Sequence, residues 1–359
     1  MMTYLMLLAG LVLLTLGGDW LVAGAARLAS RFGISTLVVG LTVVAFGTSA
    51  PELMVTLNAA FTGGGAADLA LGNVVGSNLF NILLILGVCA LLRPLLVAPG
   101  LLRRDLPWMV VACGLLVWCM QDGNVSTLEG AVLSGLLLVY ISQTLWQARR
   151  DSAASTATDR TDDSPSGPLA GELLRIVGGL ALLVLGAHWL VAAAVALAQQ
   201  WGLSETVIGL TIVAGGTSLP EVAASVMATL RNQRDMAVGN IVGSCLFNVF
   251  AVAGLGALVA PGGLVAPASL VAVDGWVMLA VAVVCLPVCF TGRRIDRWEG
   301  ALFFGYYLAY LAYLILDATG HPARDALAAV MLTYVVPATL LLLALSVLLS
   351  ARRTQPVMP

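Results

Sequence analysis

Residues 17–52, GGDWLVAGAARLASRFGISTLVVGLTVVAFGTSAPE, align without a gap on residues 186–221, GAHWLVAAAVALAQQWGLSETVIGLTIVAGGTSLPE, at an offset of 169. A second block, GNVVGSNLFN at 72–81, matches GNIVGSCLFN at 239–248 at an offset of 167. The chain is therefore an internal duplication, and whatever fold the first half adopts the second must repeat. Both blocks lie inside long apolar runs. With 60% hydrophobic and only 10% charged residues, a 359-residue chain cannot cover a water-facing surface, which makes it an integral membrane protein.

A helix needs about 20 apolar residues to cross the hydrocarbon core. By that measure there are roughly eleven spans, near 4–24, 34–61, 69–92, 105–121, 127–147, 170–196, 204–230, 236–260, 269–290, 298–317 and 326–350. The runs do not alternate polar with apolar residues as barrel strands would. The expected fold class is an all-α integral membrane protein. It divides into a first five-helix repeat at 1–148, a cytoplasmic linker at 149–169, a second repeat at 170–317, and an additional C-terminal transmembrane helix and tail at 318–359. The linker, rich in Ser, Thr, Asp and Pro, lacks the large apolar groups that a packed core requires. Five spans is an odd number, so the two units enter the membrane in opposite senses. Inverted repeats with interrupted helices are the architecture of secondary transporters, with the site near the midplane.

Every basic residue is Arg, 17 in all. With the N-terminus outside, sixteen of them fall on the cytoplasmic side and only Arg324 outside, as the positive-inside rule expects. This predicts a bacterial-type inner membrane location with a cytoplasmic C-terminus. The first span has no basic flank before it and reads as a retained helix, not a cleaved signal. A net charge of −2 gives no reason to expect a nucleic-acid partner, and no protein partner or bound cofactor is evident. Membrane lipid is the expected surround. The six cysteines lie in or beside apolar spans and read as packing residues.

Glu52 and Glu221 end the two GTS-x-PE motifs and sit deep in their spans. A bare carboxylate there costs at least a few kcal/mol. Two of them about 5 Å apart, at an effective dielectric near 20, repel by roughly 3 kcal/mol. Such a pair calls for a cation, and a divalent one neutralises both. Pro51 and Pro220 each remove a helical hydrogen bond, to the carbonyls of Gly47 and Gly216. Freed backbone oxygens at membrane depth are tolerated where they line a cavity or meet an ion. Thr48 and Ser49, and their mates Thr217 and Ser218, add hydroxyls within a turn of each Glu. In the second block Ser77 and Asn81 share a helix face, as do Ser244 and Asn248. The set is all oxygen, which suits Ca²⁺ or Na⁺ and not zinc or copper. Asn73 and Asn240 read as supporting hydrogen-bond partners, and the glycines at 72, 76, 239 and 243 as packing residues.

At these residues the chain resembles the cation/Ca²⁺ exchanger superfamily, specifically its prokaryotic Na⁺/Ca²⁺ exchanger branch. GTSAPE with GNVVGSNLFN, and GTSLPE with GNIVGSCLFN, look like that family's two α-repeats. The resemblance implies that Glu52 and Glu221 are the shared Ca²⁺ and Na⁺ ligands and that Thr48 and Thr217 contribute main-chain oxygens. It further implies that Ser49, Ser77, Ser218 and Ser244, with the main-chain oxygens of Ala45 and Ala214, complete flanking Na⁺ positions. The first and sixth spans would slide across the core to alternate access. Family members often carry Asp at one of the positions of Asn81 and Asn248; with Asn at both, this site holds at most −2. The expected function is Ca²⁺/Na⁺ antiport, with Ca²⁺/H⁺ or K⁺-dependent Na⁺/Ca²⁺ antiport as the alternatives. An intramembrane enzyme is the distant one: GTS lacks the GxSxG nucleophile elbow and there is no HExxH.

Overall fold

The apolar runs fold as helices, because in hydrocarbon each backbone N–H and C=O must find its partner within the segment. The computed structural model describes residues 2–62, 67–155, 168–202, 205–290 and 292–353. The first half comprises α1 (Met2–Phe32), α2 (Thr36–Thr48), α3 (Ala50–Thr62), α4 (Ala70–Leu92), α5 (Leu106–Cys119) and α6 (Thr127–Ser155). The second comprises α7 (Leu169–Gln200), α8 (205–216), α9 (Leu219–Leu230), α10 (Arg234–Val259), α11 (Leu270–Phe290) and α12 (Arg297–Ala318). An additional α13 (Ala323–Leu348) follows and is tied to α12 by the Tyr306 hydroxyl, 2.8 Å from Thr339 Oγ1.

Among the described residues eight helices are long and apolar enough to cross a membrane, or nine if the pair α2–α3, bent by 42°, counts as one. Two stretches expected to span from hydropathy alone are built differently. α5 is a 14-residue helix entered through a wide turn at Leu101–Asp105, and the 204–230 run is broken into α8 and α9. α6 runs on to Ser155, α7 begins at Leu169, and most of the expected linker lies outside the described residues.

The halves are joined around a two-fold seam between α1 and α7. A Cβ placed on Gly10 would stand 2.9 Å from the Gly186 carbonyl oxygen, and one on Gly17 would stand 2.8 Å from that of Gly179. Advancing along α1 means retreating along α7, so the helices are antiparallel. The second contact is the first one carried through the repeat offset of 169, with Gly10 becoming Gly179 and Gly186 becoming Gly17. Only glycine lets the two backbones approach so closely. The same operation relates Gly87 packed on Gly300 to Gly254 packed on Gly130.

It also relates two small antiparallel ribbons. Strand β1 (Leu95–Leu96) pairs with β4 (Arg294–Ile295), and β2 (Asn124–Val125) pairs with β3 (Leu264–Val265). Each ribbon takes one strand from either half. The larger core lies between the halves, with α4, α5, α10 and α11 supplying most of its buried Leu, Val, Ile and Cys side chains.

Candidate ion site

Each GTS-x-PE motif falls where a helix stops and restarts. Ser49 and Ser218 have nearly identical non-helical torsions, φ −81°, ψ 3° and φ −88°, ψ 7°. α3 and α9 begin directly after them. Pro51 and Pro220 are then the second residues of the new helices, where a missing N–H is harmless and a fixed φ is helpful. Glu52 and Glu221 follow in the first turn, at the positive end of each half-helix dipole. Upstream, α2 and α8 each carry a π-turn, Gly40–Val44 and Gly209–Val213. The second block contributes two more, Phe80–Ile85 and Asn248–Ala253, in α4 and α10. Such insertions release backbone groups and re-aim side chains, and they concentrate at functional sites.

The pattern S-x-x-E resembles a capping box, in which Ser and Glu would satisfy the N-terminus of their own helix. Here the hydroxyls cross over. Ser218 Oγ donates to Glu52 Oε1 at 2.9 Å, and Ser49 Oγ donates to Glu221 Oε1 at 3.2 Å. Ser218 Oγ also lies 3.2 Å from Ser77 Oγ. Both carboxylates are about 1% exposed. Each glutamate thus has one oxygen held by the opposite repeat and one left over.

The leftover atoms mark a candidate site. Nine buried side-chain N or O atoms among the described residues have no hydrogen-bond partner. Seven lie in the two pairs of repeated motif blocks: Glu52 Oε2, Glu221 Oε2, both amide atoms of Asn81, Asn248 Oδ1, Thr217 Oγ1 and Ser244 Oγ. An orphaned buried polar atom costs about 1–3 kcal/mol, so seven together are not tolerated without a purpose. Most are oxygens, and an oxygen shell with two negative charges fits a hard cation. Among the described residues no group of three or more His, Cys, Asp or Glu is placed to hold a metal ion, and the six cysteines are free and buried.

Not every expected ligand is similarly free. Thr48 Oγ1 lies 3.3 Å from both the Ala45 carbonyl and Asn240 Oδ1, and that carbonyl also accepts from Ser49 N at 3.0 Å. Ala214 opens the last helical turn of α8, Ala214–Gly216. Asn73 Nδ2 donates to the Glu52 carbonyl and to Thr56 Oγ1, both at 3.3 Å; its mate Asn240 donates to Ser225 Oγ at 2.9 Å. These two asparagines brace the interrupted helices.

Sequence reading passed over Thr56, Ser225 and Asn78. Asn78 is fully buried and accepts at 3.1 Å from Asn248 Nδ2, which leaves Asn248 Oδ1 for the site. The signal was present: within the second block, Asn78 faces Cys245 in the only exchange of a polar for a non-polar residue.

The sodium/calcium exchanger protein family matches residues 2–146 and 172–316. The chain belongs to that family. The antiporter CaxA of Alkalimonas amylolytica, described as putative, is 38% identical over 316 residues, covering 87% of this chain and 98% of the relative. The sodium/calcium exchanger MaX1 of Methanosarcina acetivorans is 33% identical, again over 87% of this chain and 98% of the relative. Among solved structures, the sodium-calcium exchanger NCX_Mj superposes with a TM-score of 0.74 at 30% identity, covering 87% of this chain and 98% of that one. This exchanger is thus an integral membrane antiporter of Ca²⁺ and not an enzyme. Its extra helix α13 begins beyond the matched segments.

Proposed function

We propose that this exchanger moves Ca²⁺ against Na⁺ by alternating access, both ions competing for one site at the seam of the two inverted repeats, residues 1–148 and 170–317. Glu52 and Glu221 are the shared ligands. Thr48 and Thr217 contribute main-chain oxygens, and Asn81 and Asn248 amide oxygens. Ser49, Ser77, Ser218 and Ser244, with the main-chain oxygens of Ala45 and Ala214, serve flanking Na⁺ positions. The observation that supports this reading is two buried carboxylates cross-braced between the repeats, each with an unpartnered oxygen, in motif blocks that hold further unpartnered oxygens. The relatives named as sodium/calcium exchangers support Na⁺ as the coupling ion.

The two carboxylates carry −2, which one Ca²⁺ or two Na⁺ balance. Without an ion their repulsion in a low-dielectric setting opposes passage between inward and outward states, and this couples the two fluxes. If three Na⁺ exchange for one Ca²⁺, one charge crosses per cycle, worth about 2.3 kcal/mol per 100 mV. The arginine distribution supports an N-terminus outside and a cytoplasmic C-terminus in a bacterial-type inner membrane.

Uptake of ⁴⁵Ca²⁺ into proteoliposomes under imposed Na⁺, H⁺ or K⁺ gradients tests the proposal. An outward Na⁺ gradient should drive accumulation. Uptake that follows a pH gradient and ignores Na⁺ would replace Na⁺ with H⁺ as the coupling ion.

A further inference from the structure

The two repeats are related by sequence and by seam, yet their mouths differ. The second half of α1 lies against α9: a Cβ on Gly18 would stand 3.0 Å from both the Ala223 carbonyl oxygen and the Met227 side chain. Leu21 and Ala25 share a buried cluster with Ala224 and Ala228. Repeat symmetry would lay α7 on α3 in the same way. It does not. The mates of Ala223 and Ala224 are Met54 and Val55, and these are 66% and 43% exposed. A groove lined by Val43, Phe46, Gly47, Ala50, Leu180 and His188 opens beside α7, which meets α2 where Leu180 lies against Gly47 but is parted from α3. The bundle is closed at the end that carries Arg31 and Arg231 and parted at the other.

One polar contact distinguishes the closed seam. Arg231 Nε, just past the end of α9, lies 2.6 Å from Asp19 Oδ1 on α1, and Arg231 Nη2 touches the same oxygen. The repeat mates are His188, which lines the groove, and Thr62, so the parted side has no acid and base in these places. Arg31 forms a different kind of bond. It grips Glu172 through both carboxylate oxygens, at 3.0 and 2.9 Å, and joins α1 to α7. That pair would travel with the two helices, whereas Asp19–Arg231 spans the surface across which they must slide.

We propose that Asp19 and Arg231 form an ionic latch that holds the arginine-bearing mouth shut and biases the resting exchanger toward the state open at the opposite face. The proposal rests on the alternating-access reading above. The two residues position the helices and do not touch the transported ion. Because the pair is partly solvent-exposed, its effect is modest, a two- to fivefold shift between the states being the scale of such contacts.

Cysteines introduced singly at Ala223 and Met54 report the two faces, since the six native cysteines are buried. Labelling of the reconstituted full-length chain with a membrane-impermeant maleimide would be followed in Na⁺ and in Ca²⁺. Asp19→Asn should label A223C about two- to fivefold faster and M54C more slowly, and the charge swap D19R/R231D should return both rates toward the parent. If parent rates respond to the ions while Asp19→Asn leaves both unchanged, or raises both together, the latch is overturned alone. Parent rates indifferent to Na⁺ and Ca²⁺ would remove the alternating-access reading and the latch with it.

Discussion

Ser49 stands three residues before Glu52 in the chain, yet its hydroxyl donates to Glu221 of the other repeat, 3.2 Å away. The reciprocal bond, from Ser218 to Glu52, makes the two half-helices mutually dependent. Charge at the site is therefore held by side chains whose own helices gain nothing from them locally.

Removing either charge should abolish exchange while leaving the fold intact. Two unit charges 4 Å apart at an effective dielectric of 20 attract by about 4 kcal/mol, on the order of a thousandfold in ion affinity. Glu52→Gln and Glu221→Gln should each lose ⁴⁵Ca²⁺ uptake yet elute as monodisperse protein on size exclusion. Retained flux would refute the assignment of these carboxylates.

The crossed hydroxyls predict equal and coupled effects. Ser49→Ala and Ser218→Ala each leave a buried carboxylate oxygen without its donor, at about 1–3 kcal/mol, so apparent Ca²⁺ affinity should fall roughly tenfold in both. A double-mutant cycle of Ser49→Ala with Glu221→Gln should show strong non-additivity, whereas Ser49→Ala with Glu52→Gln should be closer to additive. Isothermal titration of the detergent-solubilised protein would read both.

In the proposed site, Asn81 and Asn248 keep the charge at −2. Asn81→Asp introduces a third, so bound Ca²⁺ would no longer neutralise the cluster. Ca²⁺ uptake by this variant should depend more strongly than that of the parent on an added monovalent cation such as K⁺. A K⁺ titration of uptake rate at fixed Na⁺ gradient gives the comparison.

The glycine seam predicts a contrast between two identical substitutions. At Gly17 a methyl group would meet backbone atoms, the Gly179 carbonyl oxygen and the Leu183 nitrogen, both at 2.8 Å. Gly17→Ala should therefore cost about 1–3 kcal/mol and lower the melting temperature in detergent. Gly135→Ala, on α6 where nothing lies within 4 Å, should leave it unchanged or raise it slightly.

The parts of this structure that sequence made legible are those where a repeated pattern has one physical cause. The spacing of GTSAPE and GTSLPE located the interrupted helices, since proline and glycine at that depth need a compensating ligand or cavity. The all-α fold followed from hydropathy. The span boundaries did not, because the runs at 34–61 and 204–230 contain breaks at Ser49 and Ser218 that a hydropathy window averages away. The π-turns at Gly40–Val44 and Asn248–Ala253 were equally silent, for they change the hydrogen-bond register without changing composition. Asn78 was missed because its role depends on a contact with Asn248, 170 residues away.

The ribbons that pair β1 with β4 and β2 with β3 never join strands from the same half. Either half alone would expose two unmatched strand edges, a bare glycine stripe and an unbraced acid. Each half of the chain therefore completes the other, and neither is a finished structure by itself.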